Sequence, residues 1–218
     1  MAEALAALST IGLVPVITIE SPRDAVPLAE ALLDGGIGCA EVTFRTPAAA
    51  EAIARISSAC GDLLVGAGTV LTVEQAEQAT RAGARYIVAP GFDPAVVGWC
   101  QERSVPVLPG VATPTDISLA LARGLSLVKF FPAEAMGGVQ TLRALSAPFG
   151  GVRFIPTGGI TEANLPRYLA LPSVAACGGS WMASADMISA GKFAEIARLS
   201  RQARDIVSRV RGEPEMNP

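Results

Sequence analysis

The chain alternates between short apolar runs and longer amphipathic stretches, and this alternation predicts its secondary structure. The apolar runs are rich in β-branched residues and end in Gly, Pro or polar residues, which is typical of buried strands. Eight such runs follow one another, at 14–19, 39–44, 64–70, 86–91, 106–111, 127–132, 154–159 and 174–180. The 218 residues therefore divide into units of about 27 residues, each long enough for one strand and one helix.

The stretches between the runs predict helices. After the first run, Ala25, Leu28, Ala29 and Leu32 recur at helical spacing. Residues that favour the start of a helix precede several stretches, namely Thr46-Pro47, Thr72, Asp93-Pro94, Thr113-Pro114 and Thr161. The segment 192–211 predicts a last helix with one apolar face and its arginines largely on the solvated side, followed by a frayed tail at 212–218.

Regular alternation of strand and helix predicts a parallel sheet with right-handed crossovers. Such a sheet either closes into an eight-stranded barrel or stays open and doubly wound. The equal units favour the barrel, and Gly66 and Gly68 continue into Thr69 and Val70 without the third glycine of a dinucleotide-binding turn. We therefore predict an α/β fold, a (β/α)8 TIM barrel with an N-terminal helix, as a single domain over residues 1–218.

Composition excludes several function classes. The chain has no histidine, which removes Ser-His-Asp triads, imidazole catalysis and histidine-zinc sites. Cys39, Cys60, Cys100 and Cys177 form no Cys-x-x-Cys pair, so we expect buried, reduced thiols. A net charge of −3 with dispersed basic residues argues against nucleic acid as a partner. With neither a signal peptide nor a long apolar span in the sequence, we expect a soluble cytoplasmic protein without membrane contact.

Lys129 lies in the most apolar context of the chain, the run 127–131. In barrels of this class, polar groups at the carboxyl ends of the strands form the active site. Burial disfavours the ammonium form and so favours the free amine, which attacks carbonyl carbons. Lys129 is therefore a candidate nucleophile; the alternative is a strand-end lysine that reaches solvent or pairs with an acid.

The second run carries an acid and a base on one face. Period-two alternation places Glu41, Thr43 and Arg45 on the same side of the strand. Inside the barrel, Glu41 would pair with Lys129 and transfer protons, and Arg45 would bind a substrate carboxylate. A purely structural salt bridge of Glu41 with Lys129 or Arg45 is the alternative. Thr69 is either a second carboxylate contact or a turn residue.

Glycine pairs follow the last two runs, in Thr157-Gly158-Gly159 and Gly178-Gly179-Ser180. They allow close backbone approach and offer N–H groups and hydroxyls to a ligand. Many barrels bind phosphate between strands seven and eight, so these turns predict a phosphate site. Glycine turns also occur for steric reasons alone, which is the competing interpretation.

In this order, the segments resemble the class I aldolases of the 2-keto-3-deoxy-6-phosphogluconate (KDPG) and 4-hydroxy-2-oxoglutarate (KHG) aldolase family. The resemblance runs nearly end to end and is more specific than any single motif. It is carried by VPVI at 14–17, EVTFRT at 41–46, VGAGTV at 65–70, VKFFPAE at 128–134, PTGGI at 156–160 and GGSW at 178–181.

The resemblance implies reversible cleavage of KDPG to pyruvate and glyceraldehyde 3-phosphate, a step of the Entner–Doudoroff pathway. It implies that Lys129 forms the Schiff base and that Glu41 is the general acid and base. The implied carboxylate contacts are Arg45 and Thr69, and the implied phosphate contacts are Gly158, Gly159, Gly179 and Ser180. Thr157, beside the phosphate turn, is expected to influence stereochemistry at C4. The family also implies a homotrimer with neither metal nor cofactor.

Other functions stay open on sequence alone. A related aldolase of the same chemistry would act on the galactonate epimer of KDPG or on 4-hydroxy-2-oxoglutarate. A sugar-phosphate isomerase or epimerase would share the phosphate site and use an acid–base pair in place of an imine. A non-catalytic sugar-phosphate sensor would bind phosphosugars without trapping a keto acid.

Overall fold

Parallel strands form the inner ring of the fold, and helices connect them on the outside. The structure is a computed structural model that describes residues 2–212, so the predicted tail lies outside it except for Gly212. The strands are β1 (Leu13–Ile17), β2 (Cys39–Thr43), β3 (Leu64–Gly68), β4 (Ile87–Val88), β5 (Val107–Leu108), β6 (Gly110–Val111), β7 (Leu127–Phe130), β8 (Arg153–Pro156) and β9 (Cys177–Gly179).

The helices follow the strands in the alternation that the sequence predicts. They are α1 (Ala2–Ile11), α2 (Ala25–Asp34), α3 (Ala49–Ala59), α4 (Val73–Arg81), α5 (Pro94–Glu102), α6 (Pro114–Ala122), α7 (Gly138–Ser146), α8 (Leu165–Leu169), α9 (Ala185–Ser189) and α10 (Phe193–Arg211). A short 3-10 helix at Pro22–Asp24 precedes α2. Helix α1 is the predicted N-terminal helix. Within residues 2–212, no helix is long and apolar enough to span a bilayer.

The ring closes through two discontinuities. One sheet has the order β5-β4-β3-β2-β1-β9, and the other has the order β6-β7-β8, with parallel pairing throughout. Strands β5 and β6 are successive parts of one strand position, interrupted at Pro109, which has no N–H to donate. Isolated bridges from Phe154 to Val174 and from Thr157 to Gly178 join β8 to the β9 side. The predicted barrel is confirmed.

All eight predicted runs contain a strand, but most runs extend beyond its carboxyl end. The run 127–132 continues past β7, which ends at Phe130, and the run 154–159 continues past β8, which ends at Pro156. Of these extra residues, Phe131, Thr157, Gly158 and Gly159 line a cavity at the mouth of the barrel. Apolar and glycine-rich composition therefore continues across the boundary at which strand pairing stops.

Three predicted helix caps are confirmed. The side chains of Thr72, Asp93 and Thr113 each accept hydrogen bonds from backbone N–H groups in the first turn of α4, α5 and α6. At α6 the cap is reciprocal, because the Asp116 carboxylate also accepts from the Thr113 N–H at 2.9 Å. These caps satisfy N–H groups that a helix cannot satisfy internally.

One predicted cap is wrong because its hydroxyl has another partner. Helix α3 begins at Ala49, and Thr46 donates instead to the carbonyl of Ile19 at 2.5 Å. This bond ties the turn after β2 to the end of β1. Thr161 and Asn164, the other predicted pair, make reciprocal capping bonds in the turn that leads into α8, which begins at Leu165.

The C-terminal helix α10 packs along α2, and its arginines do more than face solvent. Arg201 donates to the Asp34 carbonyl at 3.0 Å, and Arg204 donates to the Ile11 carbonyl at 2.8 Å. Arg211 reaches the Ser9 carbonyl at 2.6 Å. These carbonyls belong to the last turns of α1 and α2, where a cation is favourable. Arg201 is exposed, as the sequence predicts, whereas Arg204 and Arg211 are partly buried, so the prediction is corrected for these two.

All four cysteines are buried and none forms a disulfide, as the sequence predicts. Burial raises the pKa of the Cys100 thiol to about 12. Burial also raises the pKa of Cys39 and Cys177 far above the ordinary range. Thiols in this state are poor nucleophiles, so these cysteines belong to the core.

Ser200 of α10 generates a stability prediction. It is fully buried against Gly35, and its hydroxyl has no hydrogen-bond partner within residues 2–212. Removing an unsatisfied buried hydroxyl removes its desolvation cost, and alanine is the better helix former. We expect Ser200→Ala to raise the free energy of unfolding by about 1 kcal/mol in urea denaturation.

Ser9→Ala is the matched control, because the Ser9 hydroxyl in α1 donates to the Leu5 carbonyl at 3.2 Å. Both variants gain helix propensity, so only the difference between them reports the unsatisfied hydroxyl. A Ser200→Ala protein no more stable than Ser9→Ala would contradict the prediction.

Candidate active site

One lysine and one glutamate are buried in contact with each other inside the barrel. Lys129 on β7 is 5% exposed and Glu41 on β2 is 3% exposed. The Lys129 Nζ donates to the Glu41 Oε1 at 3.0 Å. Because β2 and β7 lie on opposite sides of the ring, the pair crosses its interior. The interpretation in which Lys129 reaches solvent is therefore wrong. Arg45 forms no ion pair with any residue from 2 to 212.

The pair fits because the strand beside Glu41 lacks side chains at two positions. A Cβ on Gly68 would lie 2.2 Å from the Glu41 Oε1, far inside contact distance. The corresponding space at Gly66 is filled by the ring of Tyr86, whose hydroxyl donates to the Ala40 carbonyl at 2.8 Å. Burial raises the pKa of Tyr86 well above its ordinary value, so the hydroxyl keeps its proton and this bond. Gly68 thus leaves the space that the carboxylate occupies, and Gly66 leaves the space for the Tyr86 ring.

Because the ion pair is buried, the stability of the fold depends on both charged partners being present. Two isolated charges in the interior would be costly, and removing one partner of a buried pair destabilises a protein by about 3–5 kcal/mol. The ring of Phe131 adds a cation–π contact, with its centroid 5.4 Å from the Lys129 Nζ. Phe131 also lines the neighbouring cavity, so it connects the pair to the mouth of the barrel.

A cavity of about 310 Å³ lies at the carboxyl ends of the strands. The predicted site residues that line it are Arg45, Thr157, Gly158, Gly159, Gly179 and Ser180. Val16 lines it as well and pairs in register with Glu41, which places the ion pair next to the cavity. Arg45 is exposed and carries the only charge in the lining that residues 2–212 provide.

Thr69 is the one predicted substrate-binding residue that does not line this cavity, and the predicted catalytic residues Lys129 and Glu41 also lie outside its lining. It follows β3 directly and adopts a left-handed backbone conformation, with φ of 56°. Threonine rarely takes this conformation, so the turn holds it there at some cost in backbone strain. The turn interpretation of Thr69 describes its position, and a role in binding stays a prediction.

The turn after β8 presents its backbone to the cavity. The N–H groups of Ala133 and Glu134, neither of which lines the cavity, donate to the carbonyls of Thr157 and Gly158 at 2.8 and 3.0 Å. In a planar trans peptide the N–H points opposite to the carbonyl. The N–H groups that follow these carbonyls therefore face the cavity, an arrangement suited to an anion.

The part of the chain that the structure describes contains no cluster of metal-binding side chains. Within residues 2–212, no three Cys, Asp or Glu side chains lie close enough together to hold a metal ion. The chemical groups gathered here are an amine, a carboxylate, a guanidinium and a row of peptide N–H groups.

Comparison with known proteins identifies the family. The family model described as KDPG and KHG aldolase matches residues 5–199. The chain is 56% identical over 201 residues to a 2-dehydro-3-deoxy-phosphogluconate aldolase of Treponema pallidum, covering 92% of this chain and 96% of that protein. The chain belongs to the KDPG and KHG aldolase family. It is thus an aldehyde-lyase of class I, as its sequence motifs imply.

Two further relatives of this aldolase family bear on chemistry and fold. The KHG/KDPG aldolase of Escherichia coli K12 is 44% identical, over 90% of this chain and 92% of that protein. A KDPG aldolase of Legionella pneumophila was solved with pyruvate captured as a covalent carbinolamine intermediate. That structure matches with a TM-score of 0.88 at 40% identity, covering 91% of this chain and 96% of that chain.

Two polar residues of the cavity were not predicted from sequence. Thr18, just after β1, lines the cavity, and its Oγ1 lies 3.2 Å from the Oγ1 of Thr43. A signal existed, because period-two alternation places Thr18 on the same face as Val16. Ser184 also lines the cavity, but it caps α9, beyond every predicted strand, and no strand pattern leads to it.

Gly68 provides a test of how the carboxylate is seated. We expect Gly68→Ala to lower kcat by on the order of 10²-fold. The added Cβ would lie 2.2 Å from the present position of the Glu41 Oε1 and would therefore displace this oxygen. Circular dichroism should show an intact fold, and steady-state cleavage kinetics measure the loss.

Gly61→Ala is the matched control, since a Cβ at Gly61 meets nothing within 4 Å. Wild-type kcat in the Gly68→Ala protein would show that Glu41 does not need its present position.

Proposed function

We propose that this aldolase reversibly cleaves KDPG to pyruvate and glyceraldehyde 3-phosphate, with Lys129 as the Schiff-base residue and Glu41 as the general acid and base. The observation that carries the residue roles is the buried contact of 3.0 Å between the Lys129 Nζ and the Glu41 Oε1, beside a cavity lined by peptide N–H groups. The named activities of the relatives from Treponema pallidum and Escherichia coli support the substrate.

Formation of the imine starts with a proton transfer along the ion pair. Glu41 accepts a proton from Lys129, which frees the amine lone pair to attack C2 of the keto acid. The Nζ–C2 bond forms, and a proton moves from the nitrogen to the carbonyl oxygen to give a carbinolamine. Glu41 then donates its proton to this hydroxyl and becomes ionised again. Loss of this oxygen as water leaves a protonated imine that withdraws electrons from C3.

Carbon–carbon cleavage uses the same carboxylate as a base. Glu41 accepts the proton of the C4 hydroxyl while the C3–C4 bond breaks, and the electron pair moves into the imine to form an enamine. Glyceraldehyde 3-phosphate is the first product. Glu41 then returns a proton to C3, and hydrolysis of the new imine releases pyruvate and restores Lys129. Every step reverses for synthesis, and none requires a metal or a cofactor.

Arg45 lines the cavity and is proposed to bind the substrate carboxylate. Thr69, outside that lining, is proposed as a second carboxylate contact, and Thr157 is proposed to contact the substrate near C4. The proposed phosphate contacts are Gly158, Gly159, Gly179 and Ser180. 4-Hydroxy-2-oxoglutarate is a second candidate substrate, favoured by the name of the Escherichia coli relative.

Three further expectations belong to this proposal. A homotrimeric assembly, a cytoplasmic location and the treatment of residues 1–218 as one domain stay predictions from the sequence and its family resemblance. Light scattering of the purified protein would measure the assembly directly.

Borohydride trapping with pyruvate tests the proposed nucleophile. We expect reduction to leave a stable adduct on Lys129, because a buried amine beside Glu41 forms the imine that borohydride reduces. Peptide mass spectrometry locates the adduct.

The chain supplies its own control, because its only other lysine, Lys192, is exposed and precedes α10. Labelling of Lys192 alone, or of neither residue in folded protein, would refute the role of Lys129. Lys129→Met should abolish the adduct.

Glu41→Gln separates proton transfer from imine formation. The amide keeps the size of the side chain but cannot accept the C4 hydroxyl proton. We expect kcat to fall by about 10²–10⁴-fold, while some pyruvate is still trapped on Lys129. Turnover and trapping are measured on the same preparation. Unchanged turnover would remove Glu41 from the mechanism.

A further inference from the structure

The turn that lines the cavity after β8 is held in place from behind by three hydrogen bonds. Each one engages a carbonyl of the turn and comes from a group outside the cavity lining. The bonds are Ala133 N–H to Thr157 O at 2.8 Å, Glu134 N–H to Gly158 O at 3.0 Å, and Asn164 Nδ2 to Gly159 O at 2.9 Å. Because each peptide is planar, these bonds fix three successive N–H groups toward the cavity.

The segment that provides two of these donors is itself anchored by Tyr168. Tyr168 on α8 is fully buried, and its hydroxyl donates to the carboxylate of Glu134. Burial, followed by this hydrogen bond, raises the pKa of Tyr168 far above its ordinary value, so the hydroxyl remains a donor. Glu134 is thus bonded at its side chain to α8 and at its backbone to the turn.

The side chain of Glu134 also braces the turn by direct packing. A Cβ on Gly159 would lie 2.7 Å from both the Cβ and the Cγ of Glu134. Gly159, with φ of 79°, therefore rests on the stem of this side chain. Releasing the carboxylate from Tyr168 would free the stem to rotate and leave the turn without support on that side.

Neither Tyr168 nor Glu134 touches the candidate active-site cavity. Both line a separate cavity of about 290 Å³ on the other side of the turn. Any effect they have on a ligand must therefore pass through the backbone that they support.

We propose that Tyr168 and Glu134 are positioning residues that set the preference of this aldolase for phosphorylated over unphosphorylated substrates. They do so by keeping the N–H groups of Gly158, Gly159 and Ile160 aimed at the phosphate. The inference rests on the proposed function, which places the substrate phosphate at this turn. It predicts an effect on binding of the phosphate and none on the chemistry at Lys129.

The experiment compares KDPG with 2-keto-3-deoxygluconate, which has the same carbon chain without the phosphate. For Tyr168→Phe, we expect KM for KDPG to rise about tenfold, with kcat little changed. We expect kcat/KM for the unphosphorylated substrate to stay within about twofold of wild type. The dissociation constant for inorganic phosphate, measured by calorimetry, should weaken in parallel.

Tyr86→Phe is the matched control, because Tyr86 is the only other tyrosine and its buried hydroxyl also donates to one acceptor. It should leave the ratio of kcat/KM for the two substrates unchanged. Glu134→Gln retains an acceptor for Tyr168 and should keep most of the ratio, whereas Glu134→Ala should lose it as Tyr168→Phe does.

Equal losses on both substrates in Tyr168→Phe would show general destabilisation, and an unchanged ratio would show that the turn needs no anchor. Either result overturns the inference. Failure of the proposed function is seen separately in the unaltered protein, as an absence of KDPG cleavage or of any preference for the phosphorylated substrate.

Discussion

The buried ion pair between Lys129 and Glu41 is the constraint on which the rest of the site depends. Two charges inside a barrel are tolerable only in contact, and their contact at 3.0 Å requires β2 and β7 to stand at a fixed distance across a closed ring. It also requires empty space beside the carboxylate, which Gly68 provides. In the proposed mechanism, one proton transfer from Lys129 to Glu41 removes both charges and provides the free amine that attacks the keto acid.

A single segment of chain links the interior of the barrel to its mouth. Between residues 129 and 134, it supplies the lysine, the ring of Phe131 that contacts both lysine and cavity, and the N–H donors of Ala133 and Glu134 behind the glycine turn. The register of β7 therefore sets the positions of the amine and of the donors that hold the glycine turn. A slip of one residue would turn Lys129 out of the barrel and misplace the donors.

Sequence reasoning succeeded where the physical signal is local. The apolar runs located every strand position, and a charge within such a run was unusual enough to mark Glu41 and Lys129. It failed where a side chain chooses between partners that the fold brings together. The hydroxyl of Thr46 lies at the start of a helical stretch, yet Ile19, distant in sequence, offers a carbonyl. Tyr168 and Glu134 belong to different elements, and neither shows a pattern that predicts the other.

The charge distribution of the cavity explains why such distant contacts matter. Among the described lining residues only Arg45 is charged, so the proposed phosphate site at the glycine turn relies on peptide N–H groups in place of cations. A lysine at that end would attract an anion from many positions, because a point charge has no preferred direction. Peptide dipoles attract an anion only where they point, and their direction is fixed by what holds their carbonyls. Where peptide N–H groups recognise an anion, specificity therefore depends on the residues that orient the turn as well as on those that touch the ligand.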